Sequence, residues 1–335
     1  MPAPHAQAVP DAPRAASTRV ALVVGVVAIV ALIAGVGIGL AAVAVSSTAN
    51  APHPAASATP AAVNTTGFPS GGTNSGIFTD TCKLVTTQPN DPILMPGMTG
   101  QSMQHDFFGN LAPSSTITPA ALLGGASNCS TSADSSAYWT PVLYQNGTAI
   151  EPSSTLIYWR APSTSASAVK TMPAGITLIA GNEGAMSPQD AHVVGWTCSA
   201  KQQTKLTSLP ADCPKDTELR LIATFPNCWD GKNLDGSTQK NVVYATDDAC
   251  PSSHPVQIPQ VVMHVNYPTQ SAANLTLSIG PTQQGSILTG HADFMSGWNQ
   301  TVMDRNVAAC IDTQTRCGPV AGAMAMPKGG KQRSS

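Results

Sequence analysis

Short runs in which β-branched and aromatic residues alternate with polar ones recur along the middle of this chain, separated by clusters of Gly, Pro, Asn, Asp and Ser. The clearest are AYWTPVLY from Ala137, STLIYWR from Ser154, ITLIAGN from Ile176, HVVGWTC from His192, ELRLIATF from Glu218, NVVYA from Asn241, PQVVMHVNY from Pro259, LTLSIG from Leu275 and GSILTGHADF from Gly285. Strand-like runs spaced this way predict an all-β domain, an antiparallel sandwich or barrel. Asn146-Gly147, between VLYQ and TAIE, predicts a type I′ hairpin, because both turn positions need positive φ. Helical periodicity is confined to residues 301–311, which follow Asn299 as N-cap and carry Val302, Met303, Asn306, Val307 and Cys310 along one side.

The ends of the chain have a different pattern. Arg14 and Arg19 precede an uncharged apolar run over residues 20–45, long enough to cross a bilayer as a helix. Arginines on that side leave residues 1–19 in the cytoplasm and send the rest outside. The length of the run favours an uncleaved anchor, while Ala42-Val43-Ala44 and Ala49-Asn50-Ala51 both resemble signal-peptidase sites. Residues 46–76 are an Ala, Pro, Ser and Thr linker with too little apolar surface to offset the entropy of ordering. The folded domain is expected over residues 77–311, and a small, Gly-rich tail, disordered apart from Cys317, over 312–335.

Composition sharpens this picture. Only 10% of the 335 residues are charged, so Ser, Thr, Asn and Gln must cover the surface, as in an exported, turn-rich protein. A net charge of -2 gives no electrostatic basis for binding nucleic acid. All 8 cysteines follow the apolar run, and their even number suits disulfides in an oxidising compartment. No C-x-x-C pair is present, and no cysteine and histidine spacing of the zinc-finger kind.

The chain also lacks a G-x-S-x-G elbow, a phosphate-binding G-x-x-x-x-G-K-[ST] loop and an H-E-x-x-H helix, and nothing in it calls for an organic cofactor. Four polar blocks remain as candidate chemistry. HDFFGN holds His105, Asp106 and Asn110. FPNCWDGKNLD holds Trp229, Asp230, Lys232, Asn233 and Asp235, CPSSHPVQIP holds His254, and GHADFMSGWN holds His291, Asp293 and Trp298. Residues two apart on a strand share a face about 6.5–7 Å apart, so His291 and Asp293 can look into one pocket, whereas His105 and Asp106 face opposite ways. A histidine beside an aspartate can serve as general acid or base, and paired carboxylates can divide those roles in glycoside hydrolysis. The same residue types also brace turns by bonding to backbone, which suits Asp230-Gly231 and Asn233 in particular.

In this order, DPILMPG, HDFFGN, AYWTPVLY, FPNCWDGKNLD, CPSSHPVQIP and GHADFMSGWN resemble an uncharacterised secreted domain family of fungi and bacteria. Some of its members carry WSC or carbohydrate-binding modules, so the resemblance implies work at cell walls or on polysaccharide. It also implies histidines where this chain has Met103 and Asn241, while His105, Asp230, Asp235, His291 and Asp293 match. The first expectation is therefore an exported or membrane-tethered domain that binds or hydrolyses envelope polysaccharide. His291, Asp293, Asp230, Asp235 and His105 are its catalytic candidates, and Asp106, Asn110, Lys232, Asn233, Trp229 and Trp298 its ligand contacts. A second is metal binding by His105, His291 and nearby aspartates as nitrogen and oxygen ligands. A third is a structural or interaction module in which the motifs are folding devices.

Overall fold

The computed structural model describes residues 76–161, 169–199, 206–247 and 249–318. The 20–45 segment, the linker up to residue 75 and the tail beyond residue 318 lie outside the described residues. Among those described, no helix is long and apolar enough to cross a membrane. The chain forms mostly strands in antiparallel sheets, with few helices and four disulfides.

One five-stranded sheet joins β1 (Ile77–Asp80), β7 (Ser154–Arg160), β14 (Gln260–Tyr267), β10 (Leu219–Thr224) and β9 (Val194–Cys198) in that order. The second joins β2 (Leu84–Gln88), β3 (His105–Gly109), β4 (Ala137–Pro141), β17 (His291–Met295) and β8 (Thr177–Gly181). Smaller sheets are built from β5 (Leu143–Gln145), β6 (Thr148–Ala149), β15 (Leu275–Ser278) and β16 (Gln284–Gly285), and from β11 (Cys228–Trp229), β12 (Val242–Val243) and β13 (Val256–Gln257). The β5–β6 turn has Asn146 at φ 52 and Gly147 at φ 79, the backbone its Asn-Gly sequence predicts.

Strand β7 of the first sheet and the central strands of the second differ in burial, and that difference positions the site. Along β7 burial alternates: Thr155, Ile157 and Trp159 are buried, whereas Leu156, Tyr158 and Arg160 are half-exposed. This is the period of a strand with one covered face. Trp159 meets Phe294 of β17 at 5.5 Å between ring centroids, Phe78 of β1 at 5.6 Å and Trp298 at 5.6 Å, so one aromatic layer joins the two sheets. In β3, β4 and β17, by contrast, every residue is buried. Their second face packs its own apolar cluster, in which Phe107, Trp139, Ile179 and Met295 of the sheet meet Ile93 and Leu122 from the segments before and after β3.

The single helix expected near the C-terminus is present with its cap. Asn299 accepts a hydrogen bond from the Val302 N–H at 3.2 Å and opens the helix Gln300–Asn306, which widens to a π-helical turn at Val307–Ile311. Order continues past Ile311: Cys317 pairs with Cys310 and its N–H donates to the Ile77 carbonyl at 2.7 Å, which ties residues 312–318 to β1. The other bridges are Cys82–Cys129, Cys198–Cys213 and Cys228–Cys250, so all eight cysteines are paired. One expected strand is broken, because Ile287–Thr289 forms a 3-10 turn before β17 begins at His291.

Because Phe294 touches Tyr138, Trp159 and Phe225 at once, Phe294→Ala should lower stability by about 3–5 kcal/mol in urea titrations. A loss below about 1 kcal/mol would show that the aromatic layer is not what holds the sheets together.

Candidate metal centre

Strand register brings three of the sequence candidates together. His105 pairs with Pro141 across β3 and β4, and Asp293 pairs with Trp139 across β17 and β4. Carried two residues further, the second register brings His291 level with Pro141 as well. The two histidines thus flank β4 from either side, two strand spacings or about 9.6 Å apart at the backbone. Their rings lean inward over this level of β4 until the two Nε2 atoms are 3.3 Å apart. His291 and Asp293 share the face, as their spacing requires, with His291 Nε2 at 3.6 Å from Asp293 Oδ2. His105, His291 and Asp293 each offer a ligand atom within 4.8 Å of the others, and all three are buried.

Glycine 181 lets the neighbouring strand close on this site. It is the register partner of His291, at φ +94, and a Cβ there would stand 2.7 Å from Val194 Cγ2 and 2.8 Å from the Gly290 carbonyl.

Hydrogen bonding fixes which nitrogens carry protons. His105 Nδ1 lies 2.9 Å from the carbonyl of Asn90, and His291 Nδ1 lies 2.7 Å from the carbonyl of Thr289. A carbonyl only accepts, so each Nδ1 bears the hydrogen and each neutral ring presents a lone pair at Nε2. Two lone pairs therefore face one another, beside a carboxylate neither of whose oxygens has a partner.

A proton does not resolve this arrangement. Burial, opposed by the bond to Asn90, pushes His105 down to about 4, and burial with the charge of His105 pushes His291 to about 4. Both rings are therefore neutral near pH 7. Burial, with the charges of Asp91 and Glu183, drives Asp293 well above the usual carboxylate range, yet 3.6 Å is too long for a hydrogen bond to His291. A cation would resolve it. An ion about 2.0–2.1 Å from two nitrogens at the tetrahedral angle holds them about 3.3–3.4 Å apart, and ligating histidines commonly donate Nδ1–H to a carbonyl. The donor set, two imidazoles and a carboxylate, suits a first-row divalent metal.

The remaining candidates lie elsewhere or serve the fold. Asp106 points the opposite way from His105, accepting from Thr87 Oγ1 at 2.6 Å, and burial raises it to about 6. Asn110 donates to the Ser135 carbonyl and accepts from the Ala112 N–H, bracing a turn. Asp230 is half-exposed and caps its own turn, its Oδ1 accepting from the N–H groups of Lys232 and Asn233 and its Oδ2 from the Asn233 side chain. Trp229 donates Nε1–H to the Asn233 carbonyl at 2.7 Å, and Cys228 beneath it is disulfide-bonded. Asp235 accepts from the N–H and hydroxyl of Ser237 and edges an apolar groove of about 780 Å³ lined by Pro92, Ile93, Ile117, Leu234 and Met295. Trp298 is inside the aromatic layer with 2% exposure, which leaves it no face for a sugar ring. His254 is held by the Lys240 carbonyl at 2.8 Å. Neither this groove nor a hollow of about 520 Å³ beside Asn182, Gln189 and Tyr244 is lined by His105, His291 or Asp293.

An antiparallel β domain closed by disulfides, with a buried His–His–Asp constellation on a doubly covered sheet, is the class that fold and site define. The chain belongs to the family described as a domain of unknown function, DUF1996, whose model matches residues 91–298, more than half its length. That span includes His105, His291 and Asp293. No curated protein and no solved structure matches the chain.

The depressed histidines give the metal-free protein a pH signature. Each has a folded pKa of about 4 against an ordinary 6.5, so the unfolded chain binds more protons between those values. The stability each ring contributes is then complete above pH 6.5 and is lost as pH falls toward 4. In chelator-treated protein, the stability advantage of wild type over His105→Gln should therefore shrink on going from pH 7 to pH 4, by about 2–3 kcal/mol. An advantage that stays constant across that range in denaturant titrations would contradict a neutral, buried His105.

Proposed function

We propose that this is an exported divalent-metal-binding domain whose ion is held by His105 Nε2, His291 Nε2 and Asp293. The observation that carries the reading is the pair of Nε2 atoms 3.3 Å apart with both Nδ1 atoms committed to carbonyls. The absence of a partner on either Asp293 oxygen supports it independently. Export is supported by the pairing of all eight cysteines, since such bridges persist in oxidising compartments. Residues 20–45 would then act as membrane anchor or signal.

Fewer observations support a polysaccharide site. Among the described residues the exposed large hydrophobic side chains are Met98, Leu111, Leu123, Met186, Leu234 and Ile279, with no aromatic among them to stack on a sugar. Asp230 and Asp235 are engaged in their own turns. A wall glycan remains a partner in this reading only through some surface other than the histidine cluster.

Metal analysis of oxidised protein exposed to zinc and then gel-filtered should give about one ion per chain, and His105→Ala, His291→Ala or Asp293→Ala should reduce that to background. Zinc at a hundredfold excess over its Kd should add about 2.7 kcal/mol of stability to wild type alone. Less than about a tenth of an ion per wild-type chain, for zinc, copper and manganese alike, would end the proposal.

A further inference from the structure

Between β2 and β3, residues 89–104 lie across the second face of the sheet. Ile93 from this segment packs with Phe107, Trp139, Ile179 and Met295. The same segment supplies the Asn90 carbonyl that orients His105. Its next residue, Asp91, is 1% exposed. Asp91 Oδ1 accepts from the N–H groups of Ile93 and Leu94, both at 2.9 Å, which is an ordinary Asx turn. Asp91 Oδ2 is buried and has no partner.

We infer that Asp91 completes the metal centre as an outer carboxylate, accepting a hydrogen bond from a water on the ion's fourth position and so fastening residues 89–104 to the sheet. The inference rests on the metal reading and deepens it. Two neutral imidazoles and one carboxylate leave a four-coordinate ion with one position for water, and a metal-bound water is a strong donor. Oδ2 of Asp91 is a buried acceptor without a donor. Asp91 lies between Asn90, whose carbonyl holds His105, and Ile93, which packs on Trp139 and Met295, so the segment carries it over the face that bears the three ligands; its charge also acts on His291 and Asp293, although it is not one of the group within 4.8 Å. Charge balance points the same way: Asp91 and Asp293 together neutralise a divalent ion, whereas Asp293 alone leaves a buried net positive charge. Glu183 also acts on Asp293, but its side chain is on the exposed loop after β8.

Asp91→Asn keeps the Oδ1 acceptor of the Asx turn and replaces only the charge and the free oxygen, so it separates metal contact from turn formation. With zinc as the probe and a competing chelator to set its free concentration, the full-length variant should still bind one ion but about 10- to 100-fold more weakly than wild type. In wild type, zinc should slow hydrogen exchange at the Met95 and Ser102 amides, which bond to the Asp91 and Pro89 carbonyls within the segment. An affinity loss under about threefold in Asp91→Asn, with wild type binding zinc normally, overturns the role of Asp91 and leaves the His–His–Asp site standing. Unchanged exchange at Met95 and Ser102 on zinc binding to wild type overturns it without recourse to any variant. Wild type that binds no zinc, copper or manganese removes both readings together.

Discussion

Strands covered on both faces have no solvent to satisfy their polar side chains, and that constraint governs the central strands of the second sheet of this protein. Its strands β3, β4 and β17 bury every residue, yet they carry His105, Asp293 and His291 on the outer of the two covered faces. An unpaired buried polar group costs on the order of 1–3 kcal/mol, and a charged one more. Hydrogen bonds from each Nδ1 to a backbone carbonyl meet half of the requirement. They also force both Nε2 lone pairs inward, toward each other and toward a carboxylate, so the unmet half is concentrated at one point. In the proposed metal centre, a divalent cation would meet the requirement of these three side chains.

Everything around that point serves to hold it closed. Aromatic packing from Phe78, Trp159, Trp298 and Phe294 locks the two large sheets together and sets the position of β17 from its inner side. The 3-10 turn at Ile287–Thr289 brings the Thr289 carbonyl under the His291 ring, and Gly181 allows β8 to approach the same strand. The disulfides act at a distance. Cys82–Cys129 ties the chain after β1 to the loop before β4, and Cys228–Cys250 secures the small sheet formed by β11, β12 and β13. With so few charges, the protein relies on these staples and its apolar layers rather than on surface ion pairs, whose contribution is about 0–1 kcal/mol each.

Local pattern revealed the elements that have one solvent-facing side or a turn code of their own. STLIYWR became β7 residue for residue, Asn146-Gly147 made its hairpin, and Asn299 capped the helix. HDFFG did not read as a strand, because His, Asp and Gly at three of its five positions give it neither alternation nor a β-branched run. The same division holds within the site. His291 and Asp293 were legible as a pair because strand geometry alone places them on one face. That His105 joins them depends on the β3–β4–β17 order and register, which no spacing within the chain encodes. Asp91 carried even less signal: it opens DPILMPG as an Asx turn, and only the fold reveals that its second oxygen is buried without a donor. FPNCWDGKNLD, conspicuous in the sequence for its density of polar groups, owes that density to its turn, with Asp230 consumed by the backbone it caps.

Burial of a carboxylate alone does not mark a metal site, and this chain contains the comparison that shows why. Asp134 is fully buried, and burial followed by the charge of Asp80 raises it to about 7. Its oxygens are nonetheless served by the Ser136 N–H at 3.0 Å and the Tyr138 hydroxyl at 2.7 Å. Asp80 and Asp106, both raised to about 6, each have one oxygen on hydroxyl or N–H donors. These groups are held by hydrogen bonds and need at most a proton. Asp293 has no donor on either oxygen, its two nearest nitrogens present lone pairs, and the charges acting on it are those of two more carboxylates. Among the buried aspartates with raised pKa in the described residues, it alone has no donor on either oxygen, and that is what sets it apart as the carboxylate of the proposed metal centre.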